Sequence, residues 1–130
     1  MTGVDLSASN IAFCQKQHIV PQLNFCIGDA ECLQFADYSF DAVVNVESSH
    51  CYASIENFFA EVFRVLRPNG HFLFTDFRPK ADINKIQKLL ENSGFKILKS
   101  EKITGNVMKA MDIENERKLT IINENVPKYL

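Results

Sequence analysis

Residues 40–52 read FDAVVNVESSHCY. The apolar run from Ala42 to Val46 suits a strand buried on both faces, as in a parallel sheet, and it gives way to the polar residues Glu47, Ser48, Ser49 and His50. Immediately downstream, SIENFFAEVFRVL (54–66) places Ile55, Phe58, Phe59, Val62 and Leu66 on one helical face, the spacing of a helix lying on a sheet. RPNG (67–70) stops that helix: Pro68 cannot continue it, and Asn69 and Gly70 tolerate the left-handed backbone of a tight turn. HFLFTDF (71–77) then resumes as a strand.

The same rhythm extends in both directions. TGV (2–4) reads as the tail of a strand ending at Asp5, and SASNIAFCQKQH (7–18) as a short amphipathic helix capped by Ser7 or Ser9 and ended before Pro21. LNFCIGDA (23–30) is a short strand broken at Gly28. DINKIQKLLENSGF (82–95) predicts a helix with Asp82 as N-cap, Ile83, Ile86, Leu89 and Leu90 inward, and Gly94 as its stop. FKILKSEKI (95–103) alternates like a half-exposed edge strand, residues 106–126 are helical and polar-rich, and PKYL follows. Strands separated by helices predict an α/β domain with a mostly parallel sheet and right-handed crossovers. Ligands bind such sheets beyond the carboxyl ends of the strands, here at Asp5, Asp29, Asn45–His50 and Asp76.

Composition narrows the class. With 130 residues, 46% of them hydrophobic, and 11 phenylalanines, the chain is sized for one globular domain with a real core. A net charge of -2 with scattered lysines leaves no footprint for nucleic acid. No apolar stretch reaches membrane-spanning length and no export signal opens the chain, so the expected location is cytoplasmic, without a transmembrane segment. Cys14, Cys26, Cys32 and Cys51 form no C-x-x-C pair, so no metal site is expected and the thiols read as small buried hydrophobes.

Consecutive strands ending in Asp5 and Asp29 suggest a nucleoside lying across their tips. A carboxylate at Asp5 can accept from vicinal ribose hydroxyls or simply cap the next helix. Asp29 can accept from an adenine amine or serve as an ordinary turn aspartate.

Taken together, GVDLSAS, GDAECLQF, FDAVVNVESSHCY and RVLRPNGHFLFTDF, in this order from Gly3 to about Asp76, resemble the successive post-glycine motifs of class I S-adenosylmethionine-dependent methyltransferases. ESSHCY and KITGNVMKAM are further similar to the branch acting on phthiotriol or phenolphthiocerol lipids and rifamycin-type polyketides. The resemblance implies a partial Rossmann-like fold over residues 1–130, a single incomplete domain with a cofactor-side core at about 1–78 and a helix–strand–helix segment at about 79–130. It implies S-adenosylmethionine as cofactor, with Asp5 on the ribose, Leu6 flanking the adenine, Asp29 and Ala30 at the adenine edge, and Asn45 and Val46 near the methionine end. A nicotinamide-binding fold would also use Asp5, but GDAE and RPNG in register argue against it.

For a hydroxyl acceptor on a small molecule or lipid, His50 is the candidate general base, with Glu47 second, as a base or as the group orienting the histidine. Met108, Met111 and Ile113 are candidate lid residues, whereas Phe58, Phe59 and Phe63 read as core. The five glycines build no glycine-rich turn, so the expectation is a chain lacking the first strand, that loop and a final antiparallel strand. The isolated chain is therefore expected to be inactive. Its open strand edges would pair with a second copy or a complementing N-terminal chain, or the remaining strands would close on one another. A catalytically silent oligomeric or binding module is the alternative.

Overall fold

The structure, a computed structural model, describes residues 1–125, with the side chains of Glu116 and Asn125 excepted. Val126 and the PKYL that follows it lie outside the described residues. These fall into two compact units, Met1–Ile97 and the residues from Leu98 onward. The first contains β1 (Thr2–Asp5), α1 (Ala8–Gln17), β2 (Asn24–Ile27), β3 (Phe40–Val46), α2 (Ile55–Val65), β4 (Leu66–Thr75) and α3 (Ile83–Asn92). The second contains α4 (Thr104–Asn125), on which Met108, Met111 and Ile113 are exposed. No helix among the described residues is long and apolar enough to cross a membrane.

Among the described residues the four strands pair in parallel, as the sequence rhythm predicts. β1 pairs with β2 from Thr2↔Asn24 to Asp5↔Ile27, and β3 pairs with β4 from Ala42↔His71 to Val46↔Thr75. The strands nevertheless form two separate two-stranded sheets and do not close on one another. RPNG is a bulge inside β4: the register shifts between Phe40 and Ala42, and Asn69 takes φ 65°. Gly70 is required there, because a Cβ would stand 2.9 Å from the Arg67 carbonyl and 3.1 Å from that of Asp41.

The core lies where α2 crosses the β3–β4 sheet. Ser54 caps α2 by accepting from the Asn57 amide at 3.2 Å, and the helix buries Phe58, Phe59, Val62 and Val65. Phe59 meets Phe74 edge to face at 5.5 Å, Phe58 meets Tyr52 at 4.9 Å, and Phe72 bridges to Phe95 at 5.4 Å. Ile86, Leu89 and Leu90 of α3 pack on this cluster. The loop between β2 and β3 is fastened to α2 by Arg64, which donates to the carbonyls of Leu33 (2.9 Å) and Phe35 (2.7 Å) and to Asp37 and Glu61 (2.8 Å each). That guanidinium holds the Glu61 carboxyl below the usual glutamate range, against the opposing effect of burial, and the Leu33 amide donating at 2.7 Å adds to it.

Several expectations change. None of the four cysteines is fully buried, and Cys32 and Cys51 are exposed; Phe63, on the outer side of α2, is 47% exposed. β3 is not buried on both faces: Val43 and Asn45 turn toward α2, while Val44 and Val46 are 65% and 59% exposed because no layer of the described residues covers that side. FKILKSEKI forms no strand: it pairs with none of the four strands, and Phe95 and Ile97 are only half-buried. Ile83 is exposed, since it opens α3 on the solvent side, and Asp82 makes no side-chain cap because its backbone already belongs to a short 3-10 turn.

Candidate active site at the strand tips

Parallel pairing brings the carboxyl ends of β1 and β2 together at one pole, and those of β3 and β4 likewise. At the first pair, Asp5 accepts from the Ser7 amide at 2.7 Å through Oδ1 and from Asn10 Nδ2 at 3.2 Å through Oδ2. Ser7, not Asp5, is the N-cap of α1, accepting from the Asn10 amide. Asp5 is thus held in place by the start of the helix while remaining half-exposed, beside an exposed Leu6. Asp29 closes an Asx turn onto the Glu31 amide at 2.9 Å. Ala30 packs against the core cluster.

Glu31, which sequence reasoning passed over, joins this pole to the next. Its two carboxylate oxygens accept the amides of Ala53 (2.7 Å) and Ser54 (2.8 Å), fixing the segment that leads into α2. The only sequence signal was a glutamate two residues beyond the turn aspartate.

At the second pole, Asn45 is buried on the α2 side of β3. Its Nδ2 donates to Ser48 Oγ at 2.8 Å and to the Tyr52 hydroxyl at 3.0 Å, which ties the end of β3 to the turn that follows. Val46 is exposed beside it. Glu47 takes the left-handed φ of 55°, uncommon for a residue with a side chain, and its amide donates to the Thr75 carbonyl at 2.9 Å. The chain then turns through a short 3-10 segment, Ser49–Cys51, that carries His50 across to the tip of β4.

There His50 meets Asp76, its Nδ1 2.7 Å from Oδ1. Asp76 continues the β4 alternation of Phe72 and Phe74 and therefore lies on the α2 side, with a side chain only 1% exposed. Oδ1 also accepts the Phe77 amide at 2.8 Å, and Oδ2 accepts Ser49 Oγ and Arg78 Nη2 (3.2 Å). Burial alone would raise this carboxyl; the hydrogen bonds from Ser49, His50 and Phe77, with the charge of Arg78, outweigh it and hold Asp76 below the ordinary value of 3.8. The partner of the imidazole is Asp76, and Glu47 is exposed on the same turn. Asp76 is legible in the sequence as a strand-tip acid; its pairing with His50 is not.

A site at the carboxyl ends of parallel strands flanked by helices is that of an open α/β fold, and solved structures that share this fold include class I, Rossmann-like methyltransferases, whose cofactor is S-adenosylmethionine. The chain belongs to the methyltransferase domain family, whose model matches residues 1–74. It is 40% identical over 129 residues to phthiotriol/phenolphthiotriol dimycocerosates methyltransferase 1 of Mycobacterium ulcerans, covering 99% of this chain and 48% of that protein. It is also 40% identical to the fatty-acid O-methyltransferase of Mycolicibacterium smegmatis, covering 99% and 47% respectively. The chain spans about half the length of the curated relatives it matches. Among solved structures, phosphoethanolamine N-methyltransferase 2 of Haemonchus contortus, in complex with S-adenosyl-L-methionine, shares the fold with a TM-score of 0.78 at 20% identity, over 95% of this chain and 33% of its own.

Proposed function

We propose that the chain carries the cofactor side of an S-adenosylmethionine-dependent methyltransferase acting on a hydroxyl of a small-molecule, lipid or polyketide acceptor. The observation that carries this reading is the His50–Asp76 pair at the strand tips. Asp5 is a half-exposed, pre-oriented acceptor suited to ribose hydroxyls, with Leu6 exposed beside it for the adenine. Asp29 and Ala30 serve the adenine edge, and Asn45 and Val46 the methionine end. When bound, S-adenosylmethionine supplies an electrophilic methyl group on a sulfonium. The protein's part is to orient the acceptor, exclude water and remove a proton. Nε2 of His50 accepts the hydroxyl proton, and the ionised Asp76 carboxylate stabilises the imidazolium that forms. Glu47 is the second candidate base. The names of the relatives, which act on phthiotriol lipids and fatty acids, support a lipid acceptor.

The nucleoside residues and the base sit on different two-stranded sheets, and each strand has one edge without a strand partner among the described residues. Paired parallel strands of this size are marginal alone. A strand joining them, from a complementing segment or a second copy, would set the spacing of the two poles. We therefore expect these 130 residues alone to bind cofactor weakly and to be inactive.

Calorimetry with S-adenosylmethionine and its demethylated product tests this on the 130-residue chain and on a chimera in which the remaining residues of the M. ulcerans relative are added in their own order. Weak binding by the chain, stoichiometric binding by the chimera and loss of binding in its Asp5→Ala variant are expected. Methyl transfer from the chimera to a long-chain alcohol or phenolic lipid should fall away with His50→Ala; unchanged turnover would remove His50 from the reaction. The exposed Val44, Val46 and Leu73 favour a second reading, a catalytically silent module that assembles through its sheets. A chimera that binds no cofactor, together with a chain whose size grows with concentration, would favour that reading.

A further inference from the structure

We propose that Ser49 and Arg78 are positioning residues for His50: together they hold the Asp76 carboxylate so that it accepts a hydrogen bond from the imidazole Nδ1–H and leaves the Nε2 lone pair for a substrate. This rests on the reading of His50 as the base. An ionised carboxylate only accepts hydrogen bonds. Oδ1 of Asp76 faces the Phe77 amide at 2.8 Å and His50 Nδ1 at 2.7 Å, so an ionised Asp76 requires the histidine proton on Nδ1.

What keeps the carboxylate ionised and unable to turn is the other oxygen. Oδ2 accepts from Ser49 Oγ and from Arg78 Nη2 at 3.2 Å. Arg78 Nη2 also donates to Ser49 Oγ at 2.7 Å, which occupies the hydroxyl's acceptor side and directs its proton to Asp76. Ser49 is 1% exposed and the Arg78 side chain 22%, so solvent does not substitute readily for either. Without them, the buried acid can protonate or rotate. A protonated acid donates to Nδ1, which places the imidazole proton on Nε2 and removes the basic lone pair from the exposed side of the ring.

The test is the His50 tautomer, read by long-range ¹H–¹⁵N correlation on the 130-residue chain with ¹⁵N-labelled histidine. His18, His50 and His71 are separated by a His50→Gln variant, about two pH units above the ordinary imidazole pKa. Wild type should carry the proton on Nδ1. Ser49→Ala and Arg78→Gln should each move His50 to a mixture, Arg78→Lys should restore part of the bias, and Asp76→Asn should abolish it. A wild-type proton on Nε2, or an unchanged bias in Ser49→Ala and Arg78→Gln, overturns the proposal. If Arg78→Gln fails to fold, Ser49→Ala, the loss of one oxygen, decides. Because this readout needs no turnover, a wild-type proton on Nε2 or a bias that survives in the variants tells against the positioning role alone, whereas a wild-type bias lost in the variants, together with a fully active His50→Ala chimera, tells against the base alone.

Discussion

His50 and Asp76 are 26 residues apart in sequence, yet their side chains meet at 2.7 Å because β3 and β4 end side by side. The turn after β3 lays the imidazole over a carboxylate that the β4 alternation has buried. In the active chimera, Asp76→Asn replaces that acceptor with an amide while keeping its shape, and turnover should fall by about 10²-fold or more. Initial rates with labelled methyl donor check this, with cofactor affinity measured in parallel and expected to be unchanged.

Asp76 also makes stability depend on acid. Its folded-state pKa lies below the ordinary 3.8, so the carboxylate stabilises the fold above that value, and the contribution is lost as pH falls through it toward the folded pKa. Urea midpoints should therefore drop more steeply between about pH 5 and pH 2 in wild type than in Asp76→Asn, the two curves converging at the acid end. Parallel curves would show that Asp76 is not the group responsible.

Phe59 is fully buried and touches both Phe72 and Phe74. Phe59→Ala should cost about 3–5 kcal/mol, most of the stability of a domain at the low end of the ordinary range, as read by circular dichroism in a urea series.

Gly94 ends α3 with φ +98°, and a Cβ there would stand 2.8 Å from the Phe63 ring. Gly94→Ala combines an unfavourable backbone conformation with that clash and should lower stability by about 1–3 kcal/mol. Thermal denaturation checks it; a neutral result would mean that the turn and the Phe63 ring shift freely.

Arg64 holds two carbonyls and two carboxylates that α2 and the preceding loop bring together. Arg64→Met keeps the aliphatic stem but leaves Glu61 without its cation, and should cost about 2–3 kcal/mol. Unchanged urea stability would show that solvent replaces the guanidinium without loss.

Much of the fold was legible because it is written in local periodicity. Phe58, Phe59, Val62 and Leu66 recur at helical spacing and form the core; Ser7, one of two candidate caps, caps the helix that follows it; and the strand-tip acids Asp5, Asp29 and Asp76 stand where a parallel sheet opens. What local pattern cannot encode is which partners a segment finds. FKILKSEKI has the alternation of a strand and forms none, because a strand exists only against another edge. The run through Val46 has the hydrophobicity of a strand covered on both sides, yet Val44 and Val46 face no layer among the described residues. The sequence by itself determined the helices, the parallel sense of β1–β4 and the acids at their tips. Tertiary structure alone decided that Asp76 rather than Glu47 holds His50 and that Ser49 and Arg78 hold Asp76, because hydrogen bonds depend on distances between chain segments that only packing sets.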